Sequence, residues 1–234
     1  MLNSTSTQNG SAAPNRLRTS IILLVVLAAV FLVAPHLYAN QSLVFTIMTF
    51  IVLAQGLNLL YGFTGYLPFG YVGFFGSGAY ATSLLVLHTH LPVLVCVAGG
   101  GLAAALIGVI LGPLLRLSGA YFSIANLAAS QILFFVVSNP DLADITGGPY
   151  GLKIEQVYDP AASYYCMLVV LLVACGLAAY FRSSGFGMAL RAIKQDPVSA
   201  AMAGLNVVRH RLIAWLVSAL IAGLAGGVYA WGLS

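Results

Sequence analysis

Charge is what this chain has least of. Only 6% of its 234 residues are Asp, Glu, Lys or Arg, while 61% are hydrophobic; a soluble domain carries roughly a quarter charged residues. Such a chain cannot cover a water-facing surface, which excludes an ordinary soluble domain and indicates an integral membrane protein. The few charges sit between apolar runs and never inside one, and His36 and His88 fall near run ends. Proton relays through a bilayer need ionisable groups at depth, so a proton pump or proton symporter is disfavoured. A sodium-coupled carrier that binds its ion through backbone carbonyls is not excluded. Cysteine is also scarce: Cys96, Cys166 and Cys175 form no CxxC and read as small buried side chains rather than disulfide or metal ligands. No nucleophile–base pair, metal-ligand cluster or phosphate loop is present, so no catalytic residue, metal or cofactor is assigned and an enzyme has little support.

What is abundant is apolar sequence in lengths close to the ~20 residues that cross a bilayer. Runs at 20–39, 43–61, 69–88, 92–115, 118–138, 162–181 and 212–232 predict an all-α polytopic bundle of about seven helices. The first run ends in Pro35-His36-Leu37-Tyr38 without a small-residue cleavage site, so it reads as an anchor rather than a signal peptide. Residues 1–18 are polar, low in complexity and expected to be a disordered cytoplasmic tail, and 19–234 the membrane domain. An Asn3-Ser4-Thr5 sequon in that tail carries no weight on the cytosolic side.

Orientation follows from the basic residues, because short cytoplasmic loops retain Lys and Arg. With the N-terminus inside, Arg16, Arg18, Arg116, Arg182, Arg191, Lys194, Arg209 and Arg211 are cytoplasmic and Lys153 alone is outside, within an outer loop at 139–161 that also holds Asp141, Asp144, Glu155 and Asp159. The net charge of +4 is thus a topology signal, not a nucleic-acid footprint.

Association of helices in lipid relies on small residues and polar side chains. Gly108/Gly112 and Gly223/Gly227 form GxxxG pairs, and Gly99-Gly100-Gly101 allows close approach, all readable as ordinary packing. GFTGYLPFGYVGFFGSGAY, residues 62–80, is too rich in glycine to remain one straight helix with Pro68 in it. Such a broken segment either borders a substrate path or forms a tight cytoplasmic turn. Ser123, Asn126 and Ser130 share one helical face with Gln131 beside it, and Gln55 and Asn58 form a smaller polar patch. Interhelical hydrogen bonding and a path lining are both open for these residues.

The basic stretch 182–211 carries its own local structure. Asp196 is a favoured N-cap, Pro197 a favoured first helical residue and Gly204 a terminator, predicting a short helix over 197–203 whose Val198, Ala201, Met202 and Leu205 share a side. Phe186, Ala189, Leu190 and Ile193 mark a second amphipathic element, with Arg191 and Lys194 on other faces. These faces could rest on the membrane interface or dock into a groove of a cytosolic protein.

GFGMALRAIKQDPVSAAMAGLNVVRHRLIAWLVSALIAGLAGGVYA, GLNLLYGFTGYLPFGYVGFFGSGAY, GAYFSIANLAASQI and ITGGPYGL together resemble the permease subunits of ATP-binding-cassette importers for branched-chain amino acids. The third block and the long outer loop look more like the larger of the two permeases paired in such systems. Pro68 stands where the family usually has Ser, and Pro197 follows Asp196 where an acid is common. The resemblance implies a multi-pass protein of the bacterial inner membrane that helps carry leucine, isoleucine and valine. It also implies a second permease subunit, cytosolic ATP-binding subunits that hydrolyse the ATP, a periplasmic or extracellular substrate-binding protein, and surrounding membrane lipid.

By residue, the resemblance implies ATPase coupling at Asp196, Pro197, Ala200, Ala201 and Gly204. Binding-protein contact is expected at Thr146, Gly147 and Gly148, and a translocation path bordered by Gln55, Asn58, Ser123, Asn126 and Ser130. Family members continue beyond the Gly-Leu-Ala-Gly-Gly helix with further spans, so a C-terminally shortened chain is expected. The alternatives are an importer of the same architecture for urea or short amides, a carrier or channel that works without ATP, and a non-transporting remnant.

Overall fold

The structure is a computed structural model that describes residues 12–37, 40–148, 151, 152, 154 and 157–232. Ten α-helices are present among them: α1 (Ala12–Leu37), α2 (Gln41–Leu57), α3 (Val72–His88), α4 (Val93–Ile110), α5 (Ala120–Val137), α6 (Ala143–Thr146), α7 (Pro160–Ser183), α8 (Gly185–Gln195), α9 (Pro197–Met202) and α10 (Val207–Gly232). The protein is an all-α membrane bundle. Five segments are long and apolar enough to cross a bilayer, namely α2 with its following turn, α4, α5, α7 and α10; two shorter apolar helices, Thr19–Pro35 and Val72–His88, complete the expected seven.

Boundaries depart from the hydropathy runs where local chemistry intervenes. The run at 92–115 is not one helix: α4 stops at Ile110, and a 3-10 turn over Gly112–Arg116 follows. Pro113 has no N–H to continue the α-helical ladder, which accounts for the change. At the N-terminus, α1 already begins at Ala12, inside the segment expected to be tail; residues 1–11 lie outside the described residues, as do Lys153 and Glu155 of the outer loop. The basic segment forms the two helices expected, α8 and α9, the second ending one residue early at Met202.

The last helix is the axis of the bundle. α10 packs along α3 and α4 on one side and α2 and α7 on the other, and 61% of its most apolar window is buried, more than in any other spanning segment. Glycine makes the first of these contacts possible. A Cβ on Gly78 of α3 would lie 2.2 Å from the Gly223 carbonyl oxygen, and one on Gly223 would lie 2.4 Å from the Ala104 Cβ of α4. Backbones this close gain dispersion contact that lipid cannot compete with. Trp215, fully buried, adds a hydrogen bond across the same interface by donating Nε1–H to the Gly108 carbonyl at 2.8 Å.

α10 also relates the two ends of the molecule. Near its start Arg211 meets Tyr66, and near its end Trp231 donates to the Val157 carbonyl. Twenty residues of helix separate them, about 30 Å at 1.5 Å per residue, which is the thickness of a bilayer's hydrocarbon core. Apolar side chains such as Ile22 and Leu23 on α1, Leu106 on α4 and Phe135 on α5 lie exposed around the bundle. A lipid environment tolerates such a surface; water does not.

Candidate functional site: the broken segment and its ties

The glycine-rich stretch between α2 and α3 is where the polar chemistry of the fold gathers. α2 first widens into a π-type turn over Asn58–Gly62. The chain then leaves the helix through Gly65, whose φ of +78° suits glycine, runs extended to Pro68 and turns at Phe69–Tyr71 into α3. Backbone groups freed here would be costly away from water unless something bonded them.

α5 supplies that bonding. The Ser123 hydroxyl donates to the Leu67 carbonyl at 2.6 Å, and Asn126 Oδ1 accepts the Gly70 N–H at 2.8 Å. Ser130 packs against Gly73, where an added Cβ would lie 2.9 Å from its Oγ. All three polar side chains are buried. Gly70 is seated so closely on α5 that a Cβ would fall 2.1 Å from the Asn126 carbonyl oxygen. The shared polar face thus forms a clamp on the broken segment, which runs beside the first three turns of α5.

A second set of ties comes from α10 and was not legible as a site. Tyr71 donates its hydroxyl to the Ser218 carbonyl at 2.9 Å, and the Ser218 hydroxyl donates to the Gly56 carbonyl of α2 at 2.6 Å. Phe74 and Phe122 set their rings edge-on to Trp215, at centroid distances of 4.9 and 5.6 Å, and Tyr66 meets Phe122 at 4.9 Å. The one sequence signal for this cluster was Ser218, a lone hydroxyl in an apolar helix.

The third set reaches the basic segment. Lys194, on α8, donates Nζ–H to the Gly62 carbonyl at 3.0 Å, and its stem lies within van der Waals reach of Gly65. Arg211 donates to the Tyr66 hydroxyl at 2.9 Å, with its guanidinium 4.6 Å from the ring centroid. Both cations therefore hold the broken segment from the side opposite to the α5 clamp in sequence order: one at its start, the other just after Gly65. Sequence reading placed them in the cytoplasmic stretch without partners, because their partners lie 132 and 145 residues away.

α9 is built as its residues suggest. Asp196 Oδ1 accepts the Val198 N–H at 2.9 Å, and Ser199 donates its hydroxyl to Oδ2. The Ser199 hydroxyl, with the Ser199 and Val198 N–H groups, holds the Asp196 carboxyl below the usual carboxylate range. Gly204, at φ +87°, closes the helix by donating to the Ala201 carbonyl, and Leu205 N–H donates to Ala200. Exposure then divides the expected coupling residues. Ala200 is buried against the body of the protein, while Pro197, Val198, Ala201, Met202 and Gly204 are exposed, Met202 at 78%. On α8, Leu190 and Ile193 are fully buried and Arg191 and Lys194 point outward.

At the other end, Thr146, Gly147 and Gly148 fold down on the bundle. The Thr146 hydroxyl lies 2.8 Å from the Val137 carbonyl and accepts the Gly148 N–H at 3.2 Å; Tyr80 of α3 donates to the Gly148 carbonyl at 2.8 Å. Gly148 is buried, Thr146 and Gly147 are half-buried, and Asn139, Pro140, Asp141 and Ile145 beside them are exposed.

Gln55 and Asn58 sit apart from the α5 clamp. Their amides, 3.5 Å apart, line a cavity of about 520 Å³ whose walls come from α1, α2 and α7 and whose rim carries Arg182 and Arg191. The five residues expected along one path therefore divide between a clamp and a cavity.

Residues 40–234 match the family described as the branched-chain amino acid transport system permease component. The chain belongs to that family. It is 30% identical, over 95% of its length, to the high-affinity branched-chain amino acid transport system permease protein LivM of Escherichia coli, and 29% identical over the same share to LivM of Salmonella typhimurium. It spans 59% of the length of each. A probable branched-chain amino acid transport permease protein LivH of Methanocaldococcus jannaschii is 30% identical over 76% of the chain and 61% of its own length. No solved structure matches the chain. As a permease-family member with a polytopic bundle it is a multi-pass membrane protein, and the family match covers the bundle from α2 onward.

Proposed function

We propose that this chain forms part of the translocation path of an ATP-binding-cassette importer for branched-chain amino acids in a bacterial inner membrane, with α8 and α9 on the cytoplasmic side. The observation that carries this reading is the small capped helix α9, which presents Val198, Ala201 and Met202 outward from a buried Ala200. Uncovered apolar side chains on a rigid, capped turn suit a groove in an ATP-hydrolysing subunit. Lys194 and Arg211 would then carry displacement of that segment to the Gly62–Tyr66 stretch, while the α5 clamp holds the far part of the break in place. A second permease would complete the path, and a periplasmic or extracellular binding protein would meet the outer loop near Asp141, Ile145 and Thr146. Because substrate choice in such an assembly sits with the binding protein, uncharged spans suffice.

The test is co-purification from mild detergent of the wild type beside an Ala201→Glu/Met202→Glu variant. Both positions are exposed, so the fold survives, whereas a change at buried Ala200 would confound packing with docking. An ATP-hydrolysing subunit retained by the wild type and lost from the variant is the expected result. A stably inserted wild type that brings no such subunit, in a strain expressing the complete operon, refutes the reading.

A second reading concerns the solute. The chain is 29% identical, over 42% of its length, to the guanosine ABC transporter permease protein NupQ of Bacillus subtilis, so the architecture is shared with a carrier of a different solute. Competition of leucine uptake by guanosine, urea and acetamide separates these cases.

A further inference from the structure

The cavity lined by Gln55 and Asn58 is chemically one-sided. Leu23, Leu24 and Leu27 of α1 and Cys175 and Ala178 of α7 form an apolar wall, and Ser20, Arg182 and Arg191 add polar and cationic groups to the lining. Arg191 donates Nη2–H to the Arg182 main-chain carbonyl at 3.3 Å, which ties the Arg191 side chain to the backbone of Arg182 at the junction between α7 and α8. Among the described residues no carboxylate lines the cavity. The acid nearest in sequence, Asp196, is already engaged by Val198 and Ser199, and Asp141 and Asp159 lie in the loop at the opposite end of the bundle. A zwitterionic amino acid would find cations for its carboxylate but, among the described lining residues, no anion for its ammonium group. An anion with a long apolar body matches both halves.

We propose that this cavity binds an anionic phospholipid of the surrounding bilayer, its phosphate between Arg182 and Arg191 within reach of the Gln55 and Asn58 amides, and an acyl chain along the α1 wall. Guanidinium groups present paired donors that suit phosphate, and basic pockets between membrane helices are a recurrent way of holding such headgroups. The exposed aliphatic face of α1 continues the wall into the region where acyl chains run. On the orientation proposed above, Arg182 and Arg191 lie at the cytoplasmic leaflet. Gln55 and Asn58 then serve the lipid rather than the solute path.

The experiment uses the purified full chain and needs no partner subunit, so its failure is distinct from failure of the importer reading. Native mass spectrometry after exchange into equal phosphatidylglycerol and phosphatidylcholine compares retained lipid in the wild type, Arg182→Gln/Arg191→Gln, Arg182→Lys/Arg191→Lys and an Arg116→Gln control. The expected result is selective retention of phosphatidylglycerol by the wild type and the control. Retention should fall at least tenfold in the Gln pair and recover in part in the Lys pair, which also shows that charge rather than folding is responsible. Equal retention in wild type and Gln pair overturns the proposal. So does equal protection by millimolar glycerol 3-phosphate, which would make the site one for a soluble anion. Displacement of the retained phosphatidylglycerol from the purified chain by millimolar leucine would assign the cavity to the solute instead.

Discussion

Replacing Asn126 by Leu asks whether the polar face of α5 is a clamp or a lining. Asn126 is 1% exposed, and its Oδ1 is the acceptor for the Gly70 N–H. Leu keeps the branched shape and the number of heavy atoms, though its methyl groups are bulkier, and offers no acceptor. The segment has little room to move toward α5 for another, since Gly70 already rests on the Asn126 backbone carbonyl. The variant therefore leaves a buried donor unpaired, at a cost of about 1–3 kcal/mol. At about 2 kcal/mol the folded-to-unfolded ratio falls roughly 30-fold, or several degrees in apparent melting temperature for a chain of this size. Ser123→Ala frees the Leu67 carbonyl and should cost about 1 kcal/mol; the double variant should be non-additive because both bonds hold one segment. Intrinsic fluorescence in detergent at a fixed scan rate is a suitable assay. Trp215 lies beside Phe122, the neighbour of Ser123, and reports on the region directly. A variant that melts with the wild type while its transport KM changes would show that Asn126 faces solute and would refute the clamp.

Three further changes probe the packing and the ties to the basic segment. Gly223→Leu drives a side chain into Ala104 and the α4 backbone at Gly100 and Gly101, where even a Cβ has no space; overpacking of this kind costs about 1–3 kcal/mol or more and should abolish a monodisperse peak on size exclusion. Gly108→Ala, whose Cβ meets the Leu216 methyl at 3.2 Å and the Ala219 Cβ at 3.3 Å on the same α4–α10 face, should lose far less, and equal loss in both would deny that this crossing is tightest at Gly223. Lys194→Met keeps the stem against Gly65 and removes the donor to Gly62. In the reconstituted importer it should retain the ATP-hydrolysing subunit but move fewer leucine molecules per ATP, and an unchanged ratio would remove Lys194 from the coupling.

Local chemistry was legible along the chain. Asp196, Pro197 and Gly204 act on backbone groups within five residues of themselves, so the start and end of α9 followed from residue type. The apolar runs located the spans for a similar reason, since the length of helix that a bilayer demands is a property of one segment at a time. Glycine and Pro68 announced that the chain between α2 and α3 would break. Where the same reasoning needed a partner it stopped. Ser123, Asn126 and Ser130 shared a face, but nothing in their spacing told a solute from the backbone of Leu67 and Gly70, more than fifty residues away. Gln55 and Asn58 looked like members of the same set and proved to line a different cavity.

The amino-acid sequence by itself thus determined that this is a polytopic helical membrane protein of the branched-chain amino acid permease family, with a broken segment and a capped basic-end helix, because hydropathy, caps and turns act over a few residues. Only the tertiary structure decided that Ala200 is covered while Ala201 is open, that Lys194 and Arg211 grip the broken segment, and that two arginines share a cavity wall with Gln55. Those outcomes depend on which helices become neighbours. In lipid, helix adjacency is set by the close approach of Gly78, Gly223 and Ala104 and by a few buried hydrogen bonds, terms that have no meaning until the chain has folded back on itself.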